Sequence, residues 1–326
     1  MASRSPDAAA AGATVVVTGA HGFIGRAVVA ELHSLGARPV CPYRPDTPPH
    51  PALPGTPVPL DLLDARAVEA AMGGVDLVVH LAARSGGIQF QQADPVDVLR
   101  HNTAMTANVL RAAQRTGVRR AFLASSAVVY SAGAGERIGE DDDLVAPHRD
   151  AVSGYAWSKV TDEVLGGWSA ASGGPEVVVG RFSNVYGPGG SFDPERSTVV
   201  HALVRRAVEA PAGGCLEVWG DGSAVRSFVH VADAGRAVIA VLGRGLAGEA
   251  YNIDSSEPVT IRELATIVRD AAAPGLTLEF NTDRPQGPPR RVLDTAKLRA
   301  LGFTPQVRLT DGVAATVDAY RAQVAR

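Results

Sequence analysis

The stretch Thr14-Val15-Val16-Val17-Thr18-Gly19-Ala20-His21-Gly22-Phe23-Ile24-Gly25 constrains this chain more than any other. A β-branched run ends in evenly spaced glycines, and an apolar periodic segment begins at once. β-Branched residues favour extended backbone, while glycines permit a tight turn and the close approach of another group. A helix beginning there presents free N–H groups and the positive end of its dipole to whatever lies at the turn. A dinucleotide pyrophosphate needs this combination of buried strand, turn and helix start. Gly19, Gly22 and Gly25 form a GxxGxxG spacing rather than GxGxxG.

Strand and helix signals alternate from there, the pattern of a parallel sheet with crossover helices. Strands are expected at 14–18, 38–43, 58–60, 75–81, 120–125 and 176–181, and helices at 22–35, 65–72, 94–116 and 155–172. Asp94-Pro95 reads as a helix start, Gly36 and Gly117 as stops, and the Pro-rich stretch 42–59 cannot be helical. Six parallel strands complete a dinucleotide-binding sheet. After Arg181 a Gly/Pro-rich loop at 184–195 precedes a helix at 199–209 and a strand at 215–219. A strand end and helix at 228–242 are expected to return to the main sheet, followed by a short strand at 248–253. A helix at 261–273, a strand at 277–280 and a helix after Thr310 close the chain. The expected fold is α/β, a Rossmann doubly wound parallel sheet with a smaller, discontinuous α+β substrate lobe. The sheet domain takes 12–183 and 228–254, the lobe takes 184–227 and 255–326, and 1–11 is read as a disordered tail.

A formal net charge of −3 gives the 326-residue chain no general attraction to nucleic acid or to an anionic membrane. Cys41 and Cys215 stand far apart without metal spacing, so neither a disulfide framework nor a metal site is expected. No apolar run approaches the roughly 20 residues that span a bilayer. The Ala- and Ser-rich start lacks the apolar core of a signal peptide, and a cytoplasmic protein is expected.

Ser126 follows the fifth strand, and Tyr155 and Lys159 open the next long helix as Tyr-x-x-x-Lys. That spacing places the phenol and the ammonium on one helix face. A free tyrosine, with a pKa of about 10, is a poor acid–base catalyst at neutral pH, and a neighbouring ammonium favours the phenolate. A serine hydroxyl can hold the substrate oxygen that the tyrosine protonates or deprotonates. Ser126, Tyr155 and Lys159 are therefore the candidate catalytic residues. His148, His230 and the run 140–143 read as loop or solvated groups.

On these residues, and on His80-Leu81-Ala82-Ala83, 125–130, Arg181-Phe182-Ser183-Asn184-Val185-Tyr186-Gly187-Pro188 and 220–233, the chain resembles the extended short-chain dehydrogenase/reductase family over nearly its whole length. The resemblance implies a nucleotide-sugar enzyme that moves a hydride between a nicotinamide cofactor and a sugar carbon. It also implies a homodimer formed through the helices at 94–116 and 155–172. Further segments are similar to the GDP-4-keto-6-deoxymannose epimerase–reductase (GDP-L-fucose synthase) branch: Ala82-Ala83-Arg84-Ser85-Gly86-Gly87-Ile88, Ser191-Phe192-Asp193-Pro194 with 199–203, Val218-Trp219-Gly220-Asp221-Gly222 with Arg226, and Gly287-Pro288-Pro289-Arg290 with Leu293-Asp294.

The chain departs from that branch at two positions. Where the branch carries an acid–base Cys and a His, this sequence has Val128 and Thr198. Val128 exchanges no proton and Thr198 is a very weak acid. His201, one helical turn beyond Thr198, stays open as a substitute. Sugar 4,6-dehydratases carry an acidic cluster where this chain has Ser126-Ala127-Val128, so water elimination is not expected. The same stretch is similar to the Ser-Ala-x-Val-Tyr of UDP-sugar 4-epimerases.

The ribose-binding carboxylate that selects NAD would fall on Tyr43, with Arg44 next. An arginine pairs with a 2′-phosphate that a carboxylate would repel, so NADPH/NADP is preferred over NAD. The resemblance implies a cofactor lined by Gly19, His21, Gly22, Phe23, Ile24, Gly25, Tyr43, Arg44, Asp61, Leu62, Leu81, Ala82, Ala83, Asn102, Tyr155, Lys159, Phe182, Asn184 and Val185. In that assignment Asp61 meets the adenine amine, and His21 adds a contact to the 2′-phosphate. The nucleotide sugar would meet Ser85, Gly86, Gly87, Ser126, Asn184, Val199, Trp219, Arg226 and Arg290. Arg226 and Arg290 are the diphosphate clamps, and Trp219 either stacks on the nucleobase or sits in the core. The reading is an NADPH-dependent reductase of an NDP-4-keto-(6-deoxy)hexose. Two others stay open: an NDP-sugar epimerase of the 4-epimerase type with tightly bound NAD(P), and a non-catalytic NADP-binding regulator of the same fold.

Overall fold

The structure, a computed structural model, describes residues 10–85, 94–130, 136–142, 144, 153–284 and 287–325. The strands β1 (Thr14–Thr18), β2 (Arg38–Tyr43), β3 (Thr56–Pro59), β4 (Leu77–His80), β5 (Arg120–Ser126) and β6 (Glu176–Phe182) lie parallel in the order β6-β5-β4-β1-β2-β3. Their side chains alternate between two buried faces, which is why the sequence shows continuous apolar runs. Val15, Val17, Val79, Phe122 and Val178 pack on one face, and Val16, Val78, Leu123, Val177 and Val179 on the other.

Helix α1 (Phe23–Ser34) covers the first face with Val28, Val29 and Leu32. Helices α2 (Ala65–Ala71), α3 (Pro95–Thr116) and α4 (Gly154–Ala171) cover the second. The side chains of Asp64, Asp94 and Ser153 cap α2, α3 and α4, whereas Gly22 leaves the first N–H groups of α1 without a side-chain cap. At Gly25 a Cβ would stand 2.0 Å from the Gly19 carbonyl oxygen, so only glycine lets α1 start this close to β1. Gly19 itself has φ +71°.

Beyond β6 come β7 (Asn184–Tyr186), α5 (Val199–Glu209), β8 (Cys215–Trp219), β9 (Val225–Arg226), β10 (Phe228–His230), α6 (Val231–Arg244) and β11 (Ala250–Ile253). Strand β11 pairs parallel with β6 and adds a seventh strand to the sheet, one more than the six expected. Helix α6 packs beside α1 on the sheet, as expected, but β10 does not join it. Instead β10 forms a separate parallel pair with β7.

The chain ends with β12 (Val259–Thr260), α7 (Ile261–Ala272), β13 (Thr277–Asn281), β14 (Arg290–Arg291), α8 (Ala296–Ala300) and α9 (Leu309–Val324). Helices α5, α7 and α9 enclose a second apolar core that includes Phe192, Leu203, Leu216, Leu264 and Val317. Strands β12, β9 and β14 form a three-stranded sheet whose members are too short to show any periodicity in sequence. Residues 1–9 lie outside the described residues, and Ala10 is already buried.

Candidate active site

Strand order reverses between β1 and β4, so the crevice of this sheet lies beyond the carboxyl ends of those strands. Gly19 sits there against the Ala82 backbone, where a Cβ would stand 2.9 Å from the Ala82 nitrogen. The Thr18 hydroxyl accepts from Ala82 N–H at 3.3 Å and lies 2.7 Å from His80 Nδ1. His80 Nε2 lies 3.1 Å from Thr106 Oγ1 on α3. Burial, with help from the Lys159 charge, pushes the His80 pKa down to about 3, so the ring is neutral.

Ser126 ends β5 and caps the 3₁₀ turn Ala127–Val129, its Oγ accepting from Val128 N–H at 3.4 Å. Tyr155 lies in the first turn of α4, and Lys159 Nζ stands 5.8 Å from its ring centroid. Lys159 is almost fully buried and donates to Asp162 Oδ2 at 3.2 Å. Burial raises the Asp162 carboxyl, against the pull of Lys159 and the Thr106 hydroxyl. Asn102 reaches backbone: its Oδ1 accepts from Arg84 N–H at 2.7 Å, and its Nδ2 donates to the Arg84 carbonyl and to Ser158 Oγ. Asn184 likewise donates to the Ser227 carbonyl at 3.1 Å.

On the cofactor side, His21 accepts from His50 N–H through Nδ1 at 3.0 Å, which leaves Nε2–H to donate to the Cys41 carbonyl at 3.3 Å. This bracket ties the loop after β2 to the glycine turn, and Tyr43 packs edge-on against the His21 ring. The Arg44 side chain is 75% exposed, beside Asp46 and Thr47. Asp61 accepts from Leu63 N–H at the end of the next turn. Leu81, Ala82 and Ala83 line the crevice half-buried, whereas Leu62, Phe182 and Val185 are buried. Phe23 packs edge-on against His201, and Ile24 against the sheet core.

On the other side, Gly86, Gly87 and Ile88, with His148 and Asp143, lie outside the described residues, and Ser85 is exposed next to them. Val199 opens α5, half-buried. Thr198 and His201 are bonded to each other: Oγ1 lies 2.9 Å from Nδ1, while Nε2 lies 3.0 Å from the Gly187 carbonyl. A carbonyl accepts only, so Nε2 carries the proton and the Thr198 hydroxyl donates to Nδ1. Both nitrogens of a ring only 1% exposed are thus engaged. Trp219 is 45% exposed, which removes the core alternative, and Arg206 and Arg284 flank its ring.

Arg226 and Arg290 are not neighbours across the small sheet. The parallel register of β9 and β14 sets Arg291 opposite Arg226, while Arg290 donates to the Glu136 carbonyl. Arg226 and Arg291 are half-buried, and burial lowers the pKa of both. That Arg291 rather than Arg290 faces Arg226 is not legible in the sequence, because only the strand register separates the two. Nor did the sequence point to a buried frame built on Arg181. Arg181 grips Glu163 with two nitrogens and donates to Tyr130 OH and to the carbonyl of Glu140. Glu140, expected in a solvated run, accepts from Asn252 N–H and is part of this frame. His230, expected in a loop, caps α6 by accepting from Ala232 N–H.

A parallel doubly wound sheet with a glycine turn at its switch point is the fold of an extended short-chain dehydrogenase/reductase. The model of the NAD dependent epimerase/dehydratase family matches residues 15–254, and the chain belongs to that family. It is 33% identical to GDP-L-fucose synthase 1 of Arabidopsis thaliana, over 94% of this chain and 93% of the relative. It is 35% identical to a dTDP-4-dehydro-6-deoxy-D-allose reductase from a Streptomyces species, over 95% and 97%. Among solved structures it is similar to the UDP-glucose 4-epimerase of Thermus thermophilus in complex with NAD, with a TM-score of 0.81 and 29% identity over 94% of this chain and 99% of that one. No helix among the described residues is long and apolar enough to cross a membrane.

Proposed function

We propose that this enzyme is an NADPH-dependent reductase of an NDP-4-keto-6-deoxyhexose and does not epimerise its substrate. The observation that carries the reading lies at the two departures from the synthase pattern. Val128 offers no proton, Thr198 gives its hydroxyl hydrogen to His201, and both ring nitrogens of His201 are engaged by Thr198 and Gly187. Epimerisation beside a ketone needs a positioned acid and base, and these residues supply neither. The reductase named among the relatives acts on a 4-keto-6-deoxy sugar nucleotide, which supports the substrate class.

The uncapped start of α1 and the close approach allowed by Gly19 and Gly25 fit a dinucleotide pyrophosphate. The last residue of β2 is Tyr43 rather than a carboxylate, and the exposed Arg44 that follows it can pair with a 2′-phosphate in exchange for its surface contact with Asp46, which favours NADPH. When bound, the nicotinamide supplies the hydride. Tyr155 donates its phenolic proton to the carbonyl oxygen as the alcohol forms. Ser126 Oγ accepts from Val128 N–H and so keeps its own hydrogen for the same oxygen. Lys159 holds the nicotinamide ribose and stabilises the phenolate that remains. Arg226 and Arg291, two half-buried like charges in register, fit the substrate diphosphate better than Arg226 with Arg290. Residues 12–183 and 228–254 form the cofactor domain in this reading, and 184–227 with 255–326 the sugar-nucleotide lobe.

Turnover of an NDP-4-keto-6-deoxyhexose in D₂O with unlabelled NADPH tests the reading. The product should carry protium at C3, C4 and C5. Deuterium at C3 or C5 above the no-enzyme control would overturn it. Interconversion of C4 epimers without net consumption of NADPH, by protein that retains NAD through purification, would assign a 4-epimerase instead.

A further inference from the structure

Lys159 and Asp162 are a buried ion pair on one face of α4, their side chains 3% and 4% exposed. Such a pair adds little net stability over apolar residues of similar volume, so its presence asks for another reason. The carboxylate is also the end of a polar chain that crosses the molecule from the glycine turn. Thr18 Oγ1 accepts from Ala82 N–H and lies 2.7 Å from His80 Nδ1. An ionised carboxylate only accepts, so a Thr106 hydroxyl turned to Asp162 takes its own bond from His80 Nε2–H, which leaves Nδ1 of the neutral ring to accept from Thr18. Thr18, His80 and Thr106 are at most 2% exposed, so no water competes for these bonds. The Thr106 hydroxyl acts on the Asp162 carboxyl from one side and the ammonium of Lys159 from the other. Asp162 Oδ2 takes the ammonium while Oδ1 is buried without a hydrogen-bond partner, so the carboxylate serves chiefly to balance the buried charge, which an amide would leave uncompensated.

Among the described residues, the other titratable groups around the pair offer no second counter-ion. Glu163, the next residue of α4, is committed to Arg181 on β6 and to Ser125 on β5. His80, at the end of β4, is neutral. Tyr155, one turn before Lys159, presents its ring. We propose that Asp162 is a positioning residue that keeps Lys159 ionised and aimed along α4 at Tyr155. This deepens the proposed function, because it rests on Lys159 being the cation beside the proton donor.

Lys159 and Lys297 are the only lysines in the sequence, so protein labelled with ¹³Cε-lysine gives two resonances, assigned with a Lys297→Arg variant. In the unmodified chain the Lys159 resonance should hold its ammonium position between about pH 6 and 9. In Asp162→Asn it should titrate inside that window, because a buried ammonium without a counter-ion sheds its proton. Asp162→Glu should restore the ammonium position. Thr106→Val, which keeps the carboxylate but removes its donor, should shift Lys159 the same way by less. A Lys159 that stays fully charged across the window in Asp162→Asn overturns the proposal. If that variant does not fold, an unmoved Lys159 in Thr106→Val overturns it. The measurement needs no substrate, so its outcome is separate from that of the reductase assay.

Discussion

Tyr155 and Ser126 each perform one task in the proposed reaction, and their loss should be felt in different ways. Tyr155→Phe removes a general acid but keeps the ring, so turnover should fall by at least about 10²-fold with NADPH affinity nearly unchanged. Stopped-flow turnover and a fluorescence titration of NADPH separate the two, and near-normal turnover would remove the assignment. His80 makes a prediction about stability. Its pKa is lowered from 6.5 to about 3 in the folded chain, so below pH 6.5 the unfolded state binds a proton that the native state refuses. Stability is therefore fully present above that pH and is lost as pH falls from 6.5 toward 3. Between pH 7 and pH 5 the His80 share is about 2 kcal/mol. Urea denaturation at both values should show this difference shrink in His80→Gln, and an unchanged difference would show that His80 does not set it.

At the level of elements, the site depends on how closely two helix starts approach. At Gly154, the first residue of α4, a Cβ would stand 1.8 Å from the carbonyl oxygen of Pro95, the first residue of α3. Any side chain there forces the two helix starts apart, and Tyr155 follows at the next position. Gly154→Ala should destabilise the protein by about 1–3 kcal/mol, the range for overpacking, and reduce activity further through the displaced tyrosine. Gly167, in the same helix, is exposed, and a Cβ added there would meet nothing within 4 Å. Gly167→Ala should therefore stabilise by about 0.5–1 kcal/mol, since alanine loses less backbone freedom in a helix. Thermal melts of the two variants should move in opposite directions. A shared direction would mean that helix propensity, not the contact with Pro95, governs this end of α4.

At the scale of the whole molecule, α3 and α4 pack side by side and carry exposed apolar side chains: Val96 at 73%, Val164 at 41% and Trp168 at 68%. The family resemblance places a four-helix interface on these two helices, and we expect a homodimer. Light scattering at micromolar concentrations should give twice the chain mass, and Trp168→Asp should shift it toward the monomer because a charge would be buried in the contact. The monomer mass across that range would refute the dimer. The second apolar core, around α5, α7 and α9, is separate from the two cores that flank the sheet. That separation is the structural basis for proposing a distinct sugar-nucleotide lobe.

The sequence alone determined the features whose cause is local. Continuous β-branched runs mark strands buried on both faces, glycines at Gly19 and Gly25 mark a turn pressed against a strand, and Tyr155 and Lys159 share a face because they lie one helical turn apart. What it left undecided depends on which distant segments pair. A short strand such as β11 or β10 carries too few residues for its pattern to name a neighbour, so β11 joining β6 and β10 joining β7 emerged only from the closed chain. The register of β9 on β14 set Arg291, not Arg290, opposite Arg226 in the same way. Hydrogen bonds between remote positions decided the rest. Gly187 and Thr198 engage His201, and Thr18, His80 and Thr106 are bonded in series across three elements, because buried polar groups take whichever partner the fold brings within reach.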